Sequence, residues 1–574
     1  MKCRILIDNS NYSSWKFHDF DTNLEIENEK LSQIDPIKLK LFTNDVIDHD
    51  GNILCSNIRS CPTLAGTLIL DKNRTYGRTQ NNRKFYYTCI PDDARLPSFL
   101  LPYDMKMGFS KKFNNKYVVF KFNEWNGKHP TGTMVNVLGD VDDLNVFYEY
   151  QLYRRNLNVS VASFSSRVQK LFKNDNYKEC IENILNNPNY NIQDRTMTNV
   201  FSIDPKGSKD LDDAFSIEPL VDGLFKISVY IANVYFWMEE FELWESFNNR
   251  VSTIYFPDRR RPMLPTILSE NLCSLLEKQS RFAFCMDVVI DCNGIVQKKD
   301  NGDEDITMNN AIVRLRNNYA YEEFNMLKDV DYVNLLRVTK NMKYDINDSH
   351  DVVAHWMVFM NTKCGELMAT KKFGIYRNAL AKTAPIVINN TNIACDTRRM
   401  IENWRNLTGQ YILYDDDFGN MRHDVLNTHN YVHITSPIRR IVDLLNQFMF
   451  MLNFNMIDHI SDNANNFLKK WINKIEYINE SARSIRKVQN DCELMTLCVN
   501  TPELFDEMYD GIIFDRMVRD NGVVTYMVYL EKLKMMARVT TDDILDNFNQ
   551  HKFKLYYFGD EHNAKKKVRV KLVL

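Results

Sequence analysis

Residues 201–217 read FSIDPKGSKDLDDAFSI, which places a dense acidic turn between two apolar segments. The four acids are Asp204, Asp210, Asp212 and Asp213. Like charges at this density raise each other's pKa values, so a fold that gathers them needs either open water or a cation. From the spacing alone two interpretations stay open: a solvated turn in which each Asp caps a backbone amide, or a Mg²⁺ site near a core.

The composition of the chain limits the classes of protein to which it can belong. Its 574 residues suggest three or four domains, and 44% hydrophobic with 26% charged residues is typical of a globular protein. The net charge of -3 argues against coating nucleic acid through bulk charge, so any polyanion site must be local. The twelve cysteines include no CxxC pair, which disfavours a zinc ribbon.

The sequence also predicts a location for the chain. Its start has no secretory apolar region, and no stretch reaches the roughly 20 apolar residues that cross a bilayer. We therefore expect an intracellular protein, cytoplasmic or nuclear, with reduced thiols and no membrane association.

The pattern of short strands and helices predicts several domains. Residues 61–157 alternate strand runs with turn chemistry, which favours a small β-barrel, and the last 70 or so residues return to this pattern. Between them, strand and helix signals alternate; helices are predicted over 352–374 and 467–498. Aromatic residues lie beside Lys and Arg in the first β-rich region. These are Tyr76, Arg78, Phe85, Tyr86, Tyr87, Lys116, Tyr117, Phe120, Lys121, Phe122 and Trp125. Such a mixture suits single-stranded nucleic acid, but core packing of strand aromatics is the preferred interpretation.

A second motif, YVHITSPIRRIVDLLNQFMFML at 431–452, predicts a helix with Ser436 as N-cap and Pro437 as its first residue. Arg439 and Arg440 then fall in the first turn, where the helix dipole disfavours cations. With the hydroxyls of Thr435 and Ser436, these arginines would form a phosphate receptor. The alternative is that they pair with acidic neighbours.

A third motif, RVSTIYFPDRRRPMLPTILSENLCSLLEKQSRFAF at 250–284, combines Tyr255 and Phe256 with three arginines at 259–261. An aromatic ring beside a phosphate-binding loop is a candidate platform for a nucleobase, whereas a basic surface turn with two core aromatics is the structural alternative. Together, the carboxylates, the arginines and the aromatic loop describe metal-assisted hydrolysis of a nucleic-acid phosphodiester.

These three blocks, in this order, resemble the signatures of the ribonuclease II / RNB family of exoribonucleases. Further agreement at DSHDVVAHWMVFMN and FGIYRN extends the resemblance over most of residues 195–500. IPDDARLP and EWNGKHPTGTMVNVLG are similar to the cold-shock domains of the eukaryotic exosome-associated branch. No N-terminal endonuclease (PIN) domain fits the roughly 60 residues that precede the first strands of the predicted barrel.

The resemblance implies a multidomain α+β fold with N-terminal OB-fold (cold-shock) barrels, a mixed α/β RNB domain and a short C-terminal OB-fold barrel. The expected boundaries are a degenerate first cold-shock domain at 1–60, a second at 61–157, a linker at 158–194, the RNB domain at 195–500 and an RNA-binding OB-fold at 501–574.

The implied activity is magnesium-dependent, processive 3′-to-5′ hydrolysis of single-stranded RNA to nucleoside 5′-monophosphates, with Mn²⁺ as a substitute metal. By motif position, Asp204, Asp210 and Asp213 hold the metal, Asp212 is the carboxylate most needed for cleavage, and Arg439 contacts the scissile phosphate. The remaining implied substrate contacts are Tyr255, Thr435, Ser436, Arg440 and Glu480, with Arg483 as an alternative to Glu480. We expect a monomer that binds single-stranded RNA and can associate with an RNA-processing complex.

The chain departs from the family pattern at a few positions, none of them one of the four aspartates. These are Tyr230, Asn233, Ala379 and Gln447. Two alternatives to an active exoribonuclease therefore stay open: an RNA-binding scaffold with a decayed site, and a metal-dependent nuclease that acts on DNA.

Overall fold

The computed structural model describes residues 2–573 except 27, 29–30, 32, 73, 80–82, 105–112, 174–176, 344, 381–392, 395–396, 399, 402–408, 417–420, 519–522 and 560–565. The chain divides into two compact units. The first comprises Met1–Asn158, Phe256–Asp258 and Arg486–Leu574, and the second comprises Val159–Tyr255 and Arg259–Ile485. Among the helices of the described ranges, none has the length and apolarity that crossing a bilayer requires.

The first unit opens with a four-stranded antiparallel sheet, followed by a closed five-stranded barrel. The sheet strands are Cys3–Ile7, Trp15–Asp19, Val46–Ile47 and Ile53–Cys55, with the first strand between the second and third. The barrel strands are Leu64–Leu68, Phe85–Pro91, Phe99–Tyr103, Lys116–Glu124 and Thr131–Asp140. We call this the N-terminal barrel. One apolar cluster fills the sheet and the barrel together, and within it Phe42 stacks on Phe99 with ring centroids 6.0 Å apart.

The first unit also contains a C-terminal sheet of five antiparallel strands. They are Met508–Val518, Val524–Leu530, Met535–Thr541, Gln550–Gly559 and Lys566–Val573. The helices that lie wholly in this unit are Asn57–Ser60, Leu144–Arg154 and the short turn Pro502–Phe505. A separate apolar cluster, which includes Tyr509, Val528 and Phe553, packs under the C-terminal sheet.

The second unit is built on another closed five-stranded barrel, here called the central barrel. Its strands are Ile192–Asp204, Asp213–Pro219, Phe225–Ala232, Ser280–Ile290 and Ile306–Ala320. The first and last strands close it by parallel pairing, which sets Asp204 opposite Ala320. The second strand starts at Asp213, opposite Ile231. The acidic turn is therefore the connection between two adjacent strands at one end of a barrel.

The second unit also contains helices of several lengths. They are Ala162–Leu171, Tyr177–Leu185, Tyr235–Glu240, Val330–Met342, Ser349–Thr370, Ile441–Asn453 and Asp462–Ile472, with single-turn helices at Val221–Gly223, Trp244–Ser246, Leu268–Leu272 and Met326–Lys328. Ile475–Asn500 begins in this unit. Two small sheets pair Ile254–Tyr255 with Arg260–Arg261, and Ile375–Asn378 with Gln410–Leu413. The segment expected as a linker, residues 158–194, thus contains two helices.

The mixed α+β architecture with OB-type barrels confirms the predicted fold class, but two helix predictions differ in detail. The helix predicted to start at Pro437 begins at Ile441, because Arg440 is extended and bridges Ser252. The backbone N–H of Ile441 donates to the carbonyl oxygen of Val251 at 2.9 Å, which fixes this strand-like pairing. The helix predicted over 467–498 is instead two helices. The first ends at Ile472, and the second begins at Ile475.

The preference for core packing of the N-terminal aromatics is right for some residues and wrong for others. Tyr87, Tyr117 and Phe120 are buried in the N-terminal barrel. Tyr76 and Phe85 are exposed. Strand Phe85–Pro91 alternates inward and outward side chains, and Phe85 begins it on the outward side.

Substituting Gly365 by Ala should destabilise the second unit by about 1–3 kcal/mol, as overpacking does. A Cβ at this helical position would lie 1.8 Å from the carbonyl oxygen of Asn430, so the helix and that segment must separate. Alanine would otherwise favour a helix by about 1 kcal/mol, so a loss of stability reports the clash. Urea unfolding would measure it. Gly127→Ala is the control, because nothing lies within 4 Å of its added Cβ; equal stabilities of the two variants would contradict the close packing.

Candidate active site

The acidic turn is held in place by backbone bonds to other motif segments. The N–H of Leu275 donates to the carbonyl of Leu211 at 3.0 Å, and the N–H of Leu211 donates to Ser274 Oγ at 3.0 Å. The N–H of Ala232 donates to the carbonyl of Asp212 at 2.8 Å. The turn is therefore fixed on both sides, and its carboxylates have defined positions rather than a solvated, mobile arrangement.

Asp204 and Asp213 are half-buried, and each has one fully buried carboxylate oxygen. Their Oδ2 atoms are both buried without a hydrogen-bond partner in the described part of the chain. Burial raises the pKa of Asp204 to about 6, and a hydrogen bond from Ser202 only partly offsets this. Burial, followed by the charges of Asp204 and Asp212, raises the pKa of Asp213 well above its usual range. Two neighbouring carboxyls thus resist ionisation together unless a cation neutralises them.

Asp212 is paired with Arg439, which matches the sequence alternative that the arginines pair with acidic neighbours. Its Oδ1 accepts from the backbone N–H of Ile438 at 3.0 Å, and its Oδ2 accepts from Arg439 Nε at 3.2 Å. Burial still raises the pKa of Asp212 to about 7, because it outweighs the opposing effects of the arginine and the amide. Ser436 Oγ accepts from a terminal nitrogen of Arg439 at 2.9 Å. The arginine side chain remains 42% exposed, so it can also contact an anionic ligand.

Asp210 has different partners from the other three aspartates. Its Oδ2 accepts from the Tyr255 hydroxyl at 2.7 Å, and its Oδ1 accepts from Arg260. Arg260 also pairs with Glu270 at 2.6 Å. The Tyr255 ring is 38% exposed, while burial and the Asp210 charge raise the pKa of its hydroxyl. The phenol is therefore a neutral donor that orients an accessible ring.

The remaining predicted substrate contacts are not all brought to the aspartates. Thr435 is buried, and its hydroxyl oxygen accepts from Asn361 at 3.4 Å. Arg440 pairs with Asp443 at 2.8 Å, which matches the alternative of an acidic neighbour. Glu480 is exposed on the helix Ile475–Asn500, and no described contact joins it to the acidic turn. Of the second motif, Arg439 and the backbone N–H of Ile438 contact Asp212 directly, and Ser436 is connected to it through Arg439.

Tyr321 is a site residue that the sequence reasoning missed. Its N–H donates to the carbonyl of Asp204 at 3.1 Å, directly after the strand that closes the barrel. Burial and the charges of Asp213 and Asp204 raise the pKa of its hydroxyl to about 12. The ring stacks on His350 with centroids 3.6 Å apart and an angle of 11° between the planes. Tyr321 was missed because the pairing of the first and last barrel strands, which brings it to Asp204, cannot be read from the spacing of residues in the sequence.

The four departures from the family pattern lie in the core. Asn233 Nδ2 donates to Asn310 Oδ1 at 3.2 Å, and Gln447 Nε2 donates to the carbonyl of Ala232 at 3.2 Å. The hydroxyl of Tyr230 lies 3.0 Å from that of Ser216. The fourth, Ala379, pairs through its backbone with residue 423. All four are buried, so their described contacts support packing.

A magnesium ion implied by the family resemblance fits a subset of these residues. No three His, Cys, Asp or Glu side chains in the described ranges are arranged to hold a metal. Asp204 and Asp213, however, offer two buried oxygens without hydrogen-bond partners. Mg²⁺ is commonly held by one or two carboxylates, with waters and substrate phosphates completing the shell. Asp204 and Asp213 are therefore the residues that could hold it.

Two family models match the chain. The model described as RNB domain matches residues 192–333, and the one described as Dis3-like cold-shock domain 2 (CSD2) matches residues 86–153. DIS3-like exonuclease 2 of Schizosaccharomyces pombe is 27% identical over 225 residues, which cover 37% of this chain and 24% of that protein. The match thus spans about a quarter of the length of this relative.

Solved structures share the fold. Mycoplasma genitalium RNase R in complex with ribose methylated single-stranded RNA matches with a TM-score of 0.70, 16% identity and complete coverage of both chains. Yeast Ssd1, described as a pseudonuclease, matches with a TM-score of 0.58 and 13% identity, over 98% of this chain and 82% of that one. At these identities the similarity establishes the fold alone, so the chemistry must be inferred from the residues of the site.

Replacing Asp213 by Asn should stabilise the metal-free protein by about 2 kcal/mol at pH 8, because it removes a buried charge beside Asp204. The folded protein binds protons at these carboxyls more tightly than the unfolded chain does. The wild-type protein should therefore gain stability as the pH falls from 8 toward 5, and its difference from the variant should shrink. Urea unfolding in a chelator at several pH values would measure this.

The control is Asp194→Asn, on an exposed part of the same barrel. Hydrogen bonds from Thr196 lower the pKa of Asp194, so this substitution should bring no gain at pH 8. An Asp213→Asn protein less stable than the wild type at pH 8 in chelator would contradict the buried like-charge pair.

Proposed function

We propose that this chain, which carries an RNB domain, is a magnesium-dependent 3′-to-5′ exoribonuclease that hydrolyses single-stranded RNA processively to nucleoside 5′-monophosphates. The observation that carries the proposal is the Asp212–Arg439 pair beside the unpartnered oxygens of Asp204 and Asp213. The relatives whose names include exonuclease or ribonuclease support the reaction class. The S. pombe relative is matched over only a quarter of its length, so the activity belongs to this proposal.

Asp204 and Asp213 hold the magnesium ion in this proposal. When bound, such an ion lowers the pKa of water and neutralises phosphoryl oxygens. Asp210, which the motif position also assigns to the metal, is held by Tyr255 and Arg260 in this structure. The described contacts therefore support Asp204 and Asp213 as carboxylate ligands of the metal. The contact of Asp210 with Tyr255 assigns it the role of orienting that ring.

Arg439 is the residue that binds the scissile phosphate. Asp212 Oδ2 holds its Nε, and Ser436 Oγ holds a terminal nitrogen, so the guanidinium is oriented before RNA arrives. A prearranged cation stabilises charge that develops on a phosphoryl oxygen without reorganising during the reaction.

Tyr255 supplies a platform for the 3′-terminal bases. Its hydroxyl is anchored on Asp210, and its partly exposed ring is the accessible face that stacking needs. The backbone N–H of Thr253 donates to the carbonyl of Arg439 at 3.0 Å, which links this platform to the phosphate-binding residue.

A second candidate is an RNA-binding scaffold without nuclease activity. The observations that favour it are the fold shared with Ssd1 and the departures Ala379 and Gln447. The four intact aspartates favour the enzyme.

A third candidate is a metal-dependent nuclease that acts on DNA. A chimeric substrate with deoxyribose at its 3′ end distinguishes it from an RNA-specific enzyme, because the RNA-specific enzyme should stall on this substrate. Association with an RNA-processing complex stays a proposal, supported by relatives named as exosome complex exonucleases.

Replacing Asp212 by Asn should reduce RNA cleavage by about 100-fold or more, because the phosphate-binding arginine loses its charged partner. RNA should still bind. A 5′-labelled RNA incubated with magnesium would be followed on a denaturing gel, with nucleotide analysis of the products and a parallel reaction in chelator. The wild type should shorten the RNA from its 3′ end and require the metal.

The matched control is Asp222→Asn, an exposed turn residue of the same barrel with φ of 58°, a conformation that Asn tolerates. It should cleave like the wild type. Tight RNA binding by a wild-type protein that releases no monophosphate with magnesium would establish the scaffold instead, and internal cuts would exclude an exonuclease.

Replacing Tyr255 by Ala should lengthen the shortest RNA that remains, because the terminal bases lose their stacking surface and the RNA dissociates earlier. Tyr255→Phe keeps the ring and removes only the bond to Asp210, so its end product should be closer in length to that of the wild type than to that of Tyr255→Ala. The sizes would be read on a high-resolution gel. An unchanged remnant with Tyr255→Ala would rule out this role.

A further inference from the structure

One hairpin of the second unit brings two side chains to the same carboxylate. Its strands are Ile254–Tyr255 and Arg260–Arg261, and Tyr255 is the direct cross-strand partner of Arg260. The Tyr255 hydroxyl donates to Asp210 Oδ2 at 2.7 Å, and Arg260 donates to Asp210 Oδ1. Residues directly opposite on paired strands share a face of the sheet. Both carboxylate oxygens of Asp210 are therefore held by this one hairpin.

Arg260 has a second acidic partner, which holds the other side of its guanidinium. Its second terminal nitrogen lies 2.6 Å from Glu270 Oε1, and Lys209 Nζ lies 3.7 Å from Glu270 Oε2. Charges thus alternate from Lys209 through Glu270 and Arg260 to Asp210. We call these four residues the charge chain, and the Tyr255 hydroxyl lies at its end. Each carboxylate of the charge chain lies between two partners, so its orientation is fixed from two sides.

The backbone that carries Glu270 is itself held in place. Glu270 lies in the single-turn helix Leu268–Leu272, next to Asn271. Arg281, which is buried, donates from Nε to the carbonyl of Asn271 at 2.9 Å and from a terminal nitrogen to Asn271 Oδ1 at 2.8 Å. Glu270 is therefore a fixed point from which Arg260, Asp210 and Tyr255 are oriented in turn.

The surroundings of Arg260 distinguish it from an arginine that binds phosphate. Its side chain is 19% exposed, against 42% for Arg439. Both of its terminal nitrogens contact carboxylate oxygens, so a phosphate that bound them would displace Asp210 or Glu270. A guanidinium between two carboxylates also presents little net positive charge to a polyanion. The contacts of Arg260 therefore suit the orientation of neighbouring side chains.

We propose that Arg260 and Glu270 are positioning residues, which hold Asp210 so that the Tyr255 ring is oriented for the 3′-terminal bases before RNA binds. The proposal rests on the proposed function, in which Tyr255 is the stacking platform. A planar guanidinium donates in fixed directions and can hold two carboxylates at once, which a lysine ammonium does with less directional precision. A ring that is oriented in advance binds more tightly than one that its ligand must order.

The test measures binding of the 574-residue chain to a labelled single-stranded RNA of about six nucleotides, by fluorescence anisotropy in chelator so that nothing is cleaved. A short RNA depends most on the contacts at its 3′ end, because few other nucleotides contact the protein. Tyr255→Ala should weaken binding about tenfold, because stacking is lost. Arg260→Gln should weaken it about threefold, because the ring must then be ordered on binding. Arg260→Gln added to Tyr255→Phe should cause no further loss, because the hydroxyl that connects the ring to the charge chain is already absent.

Replacing Glu270 by Gln distinguishes orientation from a direct effect of charge. Removing an acid near bound RNA would strengthen binding by charge alone, whereas loss of the anchor for Arg260 should weaken it about twofold. The slope of log affinity against log salt should stay at the wild-type value in Arg260→Gln, because no phosphate contact is lost. The matched control is Lys226→Gln, which should leave binding unchanged. Lys226 forms a comparable ion pair with Glu218, at 2.8 Å, near the other end of the strand that Asp213 begins.

Several results would overturn the proposal. A loss of about threefold that persists in the Tyr255→Phe background, or a fall of about 0.7 in the salt slope, would make Arg260 a direct phosphate contact. Tighter binding by Glu270→Gln would exclude the anchoring role. If Tyr255→Ala binds like the wild type, the platform of the proposed function fails and this proposal fails with it, whereas unchanged binding by Arg260→Gln alone refutes only this proposal. The assay needs no catalysis, so a protein without nuclease activity gives the same answer.

Discussion

The end of the central barrel forces two carboxylates into one buried environment. Parallel pairing of the first and last strands places Asp204 beside Ala320, and the next strand begins at Asp213. The fold therefore accepts buried like charge at this position, where the pKa values of both carboxyls are raised. Proteins tolerate such conflicts mainly at functional sites, because the ligand that resolves them is also the one that works there.

The other parts of the site are assembled through backbone pairing that brings distant motifs together. Ser252 bridges Arg440, and Thr253 donates to the carbonyl of Arg439, so the aromatic loop and the arginine segment form one strand-like contact. This contact delays the start of the helix to Ile441 and leaves Arg439 free to reach Asp212. The same pairing gives two adjacent arginines different surroundings. Arg439 contacts Asp212 and remains 42% exposed, whereas Arg440 contacts Asp443 and is 27% exposed.

Much of this arrangement could be predicted from the sequence. The acidic turn, the arginine segment and the aromatic loop were identified from residue types and spacing, and the match to the RNB domain confirms the resemblance to that family. The strand and helix patterns predicted small β-barrels on either side of a mixed region, and the family resemblance implied the fold class. What sequence patterns did not provide is long-range pairing. The register that brings Tyr321 to Asp204, and the bridge that unwinds the first turn of the helix predicted at Pro437, join residues far apart in the chain.

The distribution of unusual residues distinguishes the site from its surroundings. Asn233 and Gln447 depart from the family pattern at buried positions where their amides bond to other core groups. Asp204 and Asp213 each keep a buried oxygen without a partner in the described residues, as Gln447 does at Oε1, but an ionised carboxylate adds a charge that an amide does not. An amide or an apolar residue at either position would relieve the cost of burying the charge. Two neighbouring carboxyls with uncompensated oxygens therefore form the part of the structure that a bound cation would stabilise most.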